Sequence, residues 1–213
     1  MLSLEGEEMD LKIVKLDEKN TDDFFQLFDA RQFEHQDEWK ACICRFYYTD
    51  CSYEDWMKRT SLINKEEARE EISQKRMTGL LAYEDSQCIG WLNVGPILNY
   101  KRLLPHLEPN LLNDHTALAI CYVIHEDHRK KGVASKLLDE AIKMLTDEGF
   151  SLLVALPHDS PVQERNYRGF KQMYLNRNFK EYIHSGQDNY LALELIHRSE
   201  ERRVGKECFV PCR

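Results

Sequence analysis

No stretch of this 213-residue chain holds the roughly 18–20 consecutive apolar residues of a membrane-spanning helix, which excludes a helical membrane anchor. The N-terminus, Met1 to Glu8, is acidic and lacks the basic-then-apolar order of a secretory signal, so a cytoplasmic location is expected. An excess of Lys and Arg is also missing. The formal charge is −8, which argues against general nucleic-acid binding and mildly favours an amine substrate through steering. Neither G-x-x-x-x-G-K-[ST] nor G-x-G-x-x-G occurs, so a Walker loop and a dinucleotide fingerprint are both excluded. Seven cysteines, an odd number scattered along the chain, fit reduced thiols better than a disulfide framework. Cys42-x-Cys44 with Cys51 and His35 lacks the C-x-x-C partner that structural zinc favours. Thiols packed among helices are the expected reading, and no metal is expected.

Internal repeats and interdomain linkers are absent too, which leaves one domain over residues 10–197, long enough to bury a substantial core. Residues 1–9 are expected to be disordered. Arg198 to Cys208 resembles the in-frame translation of a sequencing-adapter oligonucleotide, so residues 198–213 are expected to be non-native, the natural chain ending near Ile196 or His197.

Against these absences one segment stands out, His128-Arg129-Lys130-Lys131-Gly132-Val133-Ala134-Ser135. An apolar run of strand length, Ala117 to Ile124, precedes it. A helix follows, with Val133, Leu137, Leu138, Ala141, Ile142 and Leu145 on one stripe. Three cations and a glycine therefore fall at a helix N-terminus, where unpaired N–H groups already give a partial positive charge. A bound anion would resolve that conflict, and a glycine lets backbone approach it closely. A solvated basic loop fits the spacing equally well.

The remaining elements read in order. Leu11 to Leu16 nearly alternates and predicts a strand, and Asn20-Thr21-Asp22-Asp23 offers caps to a helix carrying Phe24, Phe25, Leu27 and Phe28. A charged helical region over 52–75 is expected to bury Trp56, Leu62, Ile63, Ala68 and Ile72. Thr78–Tyr83 and Cys88–Val94 flank a polar turn as a hairpin ended by Gly95-Pro96, and 97–116 is a long connection. Ser151 to Leu156 predicts a strand stopped by Pro157, followed by a helix over 166–177 and strands at 180–184 and 190–196.

Arg129 to Ala134 resembles the [RQ]-x-x-G-x-[GA] signature of the GNAT superfamily of N-acetyltransferases, in the same strand–loop–helix setting and the same order of elements. Gly79 to Leu81, Gly90-Trp91 and Val94-Gly95-Pro96 resemble a subgroup of unassigned substrate. The resemblance implies a mixed α/β fold: a twisted, mostly antiparallel sheet of about seven strands with helices on both faces. Its fourth and fifth strands would splay around the pantetheine arm of acetyl-CoA, the co-substrate. Arg129, Lys130, Lys131, Gly132, Val133, Ala134 and Ser135 would hold the diphosphate. Val123 and Ile124 would offer backbone groups to the pantetheine, with the Val123 N–H as oxyanion donor.

Tyr174-Leu175-Asn176-Arg177-Asn178-Phe179 resembles the family's Y-x-x-x-G-F, which implies Tyr174 as the acid that protonates the leaving thiolate. Asn178 stands where glycine is usual; asparagine tolerates the left-handed backbone better than most residues. Asn166 and Tyr167 lie close to where the family often places an asparagine that contacts the cofactor. No general base is evident: Cys121 reads as core, and Asp114, His115, His125 and Glu126 as surface. Trp56, Trp91 and Tyr100 are candidates for an acceptor pocket, although packing is the expected role of each. The implied activity is direct acetyl transfer from acetyl-CoA to an amine acceptor, a small molecule or another amino group, in a ternary complex. A non-catalytic acyl-CoA-binding sensor is the rival reading. No nucleic acid or membrane partner is expected, and a homodimer is left open.

Overall fold

Alternating and continuous apolar runs bury their side chains by pairing edge to edge, and here they form one seven-stranded sheet in the order β1-β2-β3-β4-β5-β7-β6. The structure is a computed structural model that describes residues 10–29, 41–158, 166–182 and 190–196. The expectations for 1–9, His35 and 198–213 fall outside the described residues. The strands are β1 (Leu11–Lys15), β2 (Gly79–Glu84), β3 (Gln87–Pro96), β4 (Thr116–Ile124), β5 (Leu152–Ala155), β6 (Lys180–Tyr182) and β7 (Tyr190–Glu194). All neighbours are antiparallel except β4 and β5.

Helices cover both faces. On one lie α1 (Thr21–Asp29), α2 (Tyr53–Met57) and α3 (Ser61–Ser73); on the other lie α4 (Val133–Asp147) and α5 (Lys171–Leu175). Phe24, Phe25, Leu27 and Phe28 of α1 are buried with Leu81, Trp91 and Leu118 of the sheet. Val133, Leu137, Leu138, Ala141 and Leu145 of α4 are buried against Leu80, Leu92 and Ala119. Ile142, expected on that stripe, is only partly buried.

Three expectations are corrected. The region 52–75 is two helices: Lys58 ends α2, and the Thr60 hydroxyl caps α3 by accepting the Ile63 N–H at 3.3 Å. That break resets the helical phase, so Asn64, Ala68 and Ile72, four apart, face inward while Leu62 and Ile63 are exposed. The helix expected over 166–177 shortens to Lys171–Leu175. The hairpin does not end at Gly95-Pro96 but includes both, and the connection beyond it forms three single 3-10 turns.

Candidate active site

The site arises because β4 is longer than its parallel partner. Thr116 to Ala119 pair with Leu152 to Ala155, after which Pro157 follows and cannot extend the ladder. Cys121 to Ile124 continue alone along a gap that widens into a cavity of about 780 Å³. Strand geometry sends the N–H and C=O of successive residues to opposite edges. The Tyr122 N–H reaches the Tyr167 carbonyl at 2.6 Å across the gap, whereas the His125 N–H pairs with Ile89 of β3 at 2.8 Å. Val123 shares the parity of His125. Its N–H, the expected oxyanion donor, therefore points to β3, and Tyr122 and Ile124 are the residues that present backbone to the gap. The sequence does not single out Tyr122, because strand parity takes its sign only from a bond to a neighbour.

At the cavity's basic end the loop meets α4. Gly132 adopts φ +83° as the residue before the helix, and a Cβ placed on it would meet nothing within 4 Å. No side chain caps the first turn of α4 and no acidic residue lies in it, so its N–H groups lack a partner from within the helix. Arg129, Lys130, Val133, Ala134 and Ser135 line the cavity with Gly132, as do Val123 and Ile124; Lys131 does not. Arg129 Nε donates to the Ile124 carbonyl at 3.2 Å. His128 also lines the wall, its Nε2 lying 2.8 Å from a Glu84 carboxylate oxygen, while its Nδ1 is buried with no hydrogen-bond partner. Open space at Gly132, uncapped N–H groups and flanking cations together fit a phosphorylated ligand.

The opposite end is aromatic. Phe28 of α1, Phe46 and Tyr47, and Trp56 and Met57 of α2 line it, together with Cys42, Cys44 and Cys121. Trp56 stands edge-on to Phe46 with ring centroids 5.2 Å apart. Cys44 Sγ lies 3.4 Å from Cys121 Sγ and accepts the Trp91 indole N–H at 3.3 Å. Burial pushes the Cys42 thiol up to about 12 and raises that of Cys44 well above the ordinary thiol value, so both are neutral, weakly reactive groups. Trp91 and Tyr100 are fully buried and pack in the core, whereas Trp56 reaches the cavity. Among the described residues no group of His, Cys, Asp and Glu could hold a metal ion.

Tyr174 sits just behind the wall, fully buried. Its hydroxyl donates to the Arg168 carbonyl at 2.8 Å and lies 3.2 Å from the hydroxyl of Tyr122, which does line the cavity. Burial raises the pKa of both phenols well above the usual range, so each stays protonated at neutral pH. Asn178 takes φ +64°, the left-handed conformation that its place at the helix end requires. Arg177, in the same turn, anchors α5 to α4 through Asp139 at 2.8 Å and the Ser135 carbonyl at 3.2 Å.

Comparison with known proteins agrees with this geometry. The acetyltransferase (GNAT) family model matches residues 22–173, and the chain belongs to that family. No curated protein matches it in sequence. The fold is similar to an N-acetyltransferase from Staphylococcus aureus Mu50 (TM-score 0.53, 14% identity, covering 88% of this chain and 99% of that one). It is similar to the PaiA N-acetyltransferase from Thermoplasma acidophilum, solved with coenzyme A (TM-score 0.52, 18% identity, 87% and 99% covered). A third similar structure is YncA from Salmonella typhimurium with its cofactor acetyl-CoA (TM-score 0.51, 13% identity, 89% and 96% covered). Among the described residues no helix is long and apolar enough to cross a membrane.

Proposed function

We propose that this acetyltransferase moves an acetyl group from acetyl-CoA directly to an amine held in the same cavity. The observation that carries the reading is the continuity of one cavity from the uncapped, cation-flanked turn at Gly132 to an aromatic wall suited to a second molecule. The coenzyme A and acetyl-CoA bound by PaiA and YncA on the same fold support it.

Each residue then has a physical task. The N–H groups that follow Gly132, from Val133 to Ser135, hold the diphosphate, and Arg129 and Lys130 neutralise its charge. Lys131, outside the lining, contributes only through its field. The Ile124 N–H, directed into the gap, is the donor placed to polarise a carbonyl there, and the Tyr122 N–H joins it once the Tyr167 carbonyl is displaced. Tyr122 hands its phenol proton toward the gap, and Tyr174, 3.2 Å away, replaces it by turning its O–H from the Arg168 carbonyl. Acetyl-CoA supplies a thioester whose C–S bond breaks as the amide C–N bond forms, the proton lost from nitrogen ending on sulfur.

Calorimetry with acetyl-CoA and free-thiol release across an amine panel test the proposal together. Micromolar binding with acceptor-dependent release is expected, and Gly132→Val, which fills the open space and strains φ, should abolish binding. Binding without release for any amine would favour the sensor. Absence of binding would end the acyl-CoA reading altogether.

A further inference from the structure

Resting on the transferase reading, we propose that the acceptor is a primary monoamine with an apolar, aromatic body, seated against Trp56 at the end of the cavity remote from Gly132. The first ground is exposed apolar surface. Tyr53 and Met57 of α2 are 66% and 52% exposed, and both line this cavity. Large apolar side chains left in water along a cavity mark a site for an apolar ligand. The spacing 53, 56, 57 places Tyr53, Trp56 and Met57 on a single face of α2, so the helix presents its apolar side to the cavity although none of its residues is buried.

The second ground is charge. Among the described residues no aspartate or glutamate lines the cavity. The aromatic rings that might otherwise hold an ammonium already carry guanidinium groups: Arg102 lies 4.3 Å from the centroid of Phe46, Arg168 5.7 Å from that of Tyr47, and Arg59 5.8 Å from that of Trp56. The neutral thiols of Cys42 and Cys44 add no negative charge. A polyamine or an aminoglycoside would bring several ammonium groups that meet no counter-charge among the described lining residues, which is costly in an apolar wall. A monoamine has one charge to lose. The same surroundings disfavour its cationic form and present the lone pair that attack requires. Desolvation thus performs part of the work of the general base that is missing from the lining.

The experiment uses the full chain, acetyl-CoA and three acceptors: 2-phenylethylamine, spermidine and kanamycin. The expected kcat/KM for 2-phenylethylamine is at least tenfold above either polycation. Trp56→Ala should raise its KM about tenfold while acetyl-CoA affinity stays within twofold, and Trp56→Phe should restore most of the loss. Tyr53→Ala, at an exposed position that leaves the fold intact, should shift KM in the same direction by a smaller factor. Preference for spermidine or kanamycin, or an unchanged KM in both alanine variants, would overturn the acceptor class. Calorimetric binding of acetyl-CoA separates the two readings: if it persists, only the acceptor class falls, and if it is absent, the transferase reading falls first.

Discussion

Single residues divide the labour of this cavity sharply, and adjacent ones differ. Lys130 lines the wall and Lys131 does not, although the sequence pairs them without distinction. Lys130→Ala should weaken acetyl-CoA about tenfold, as expected for losing a charge-assisted contact, whereas Lys131→Ala should stay within about twofold. Calorimetry on the two variants decides the matter; equal losses would mean that both act through the general field. Tyr174→Phe removes a hydroxyl that satisfies the Arg168 carbonyl and touches Tyr122. Turnover should fall at least roughly tenfold with acetyl-CoA affinity unchanged, and stability should drop by about 1 kcal/mol for the unmet carbonyl. Unaltered turnover would remove Tyr174 from the chemistry and leave it a packing residue. Its motif was readable, but its distance behind the wall was not, because that depends on the burial of Tyr122 beside it.

Among the elements, the aromatic wall is held in place from α3. The Arg45 side chain is 5% exposed and donates to a Glu67 carboxylate oxygen at 2.9 Å, and Arg59 pairs with the same carboxylate. This joins the Phe46–Tyr48 turn to the helix. The hydrogen bond from Arg59, followed by that from Arg45, holds the Glu67 carboxyl below its ordinary value of 4.5. A depressed carboxyl pKa stabilises the fold above the unfolded value and ceases to do so as pH falls through the folded one. Below about pH 4.5 the wild-type chain should therefore lose stability that Glu67→Gln has already lost at neutral pH. The neutral-pH cost of that variant is about 1–2 kcal/mol, discounted because Glu67 is 39% exposed. Denaturant midpoints for both chains against pH test it: the gap at pH 7 should close under acid, and parallel curves would refute the assignment. The break between α2 and α3 was hidden in the sequence. Charged residues run through it, and only the Thr60 cap reveals where the helical phase restarts.

On the scale of the whole molecule, an acidic chain presents a small cationic patch to a polyanionic co-substrate. Because Arg129 and Lys130 line the cavity and are exposed, acetyl-CoA affinity should fall roughly three- to tenfold between about 50 and 500 mM salt. The KM for an aromatic monoamine should hardly move, since no ion pair is formed with it. Isothermal titration and initial rates over that salt range would check both, and a salt-insensitive cofactor affinity would count against the phosphate loop. The sheet, its two helical layers and the turn at Gly132 could be read directly from residues, because each rests on local periodicity and on the backbone demands of one glycine before a helix. By itself the sequence thus determined the strand–loop–helix with its glycine before α4 and the apolar stripes that bury it in a fold. What only the tertiary structure decided was which edge of β4 faces the gap and which aromatic rings meet across it. Strand parity has no absolute sign until one bond to a neighbour sets it, and contacts of Tyr47 with Tyr167 and Arg168 join residues more than a hundred positions apart.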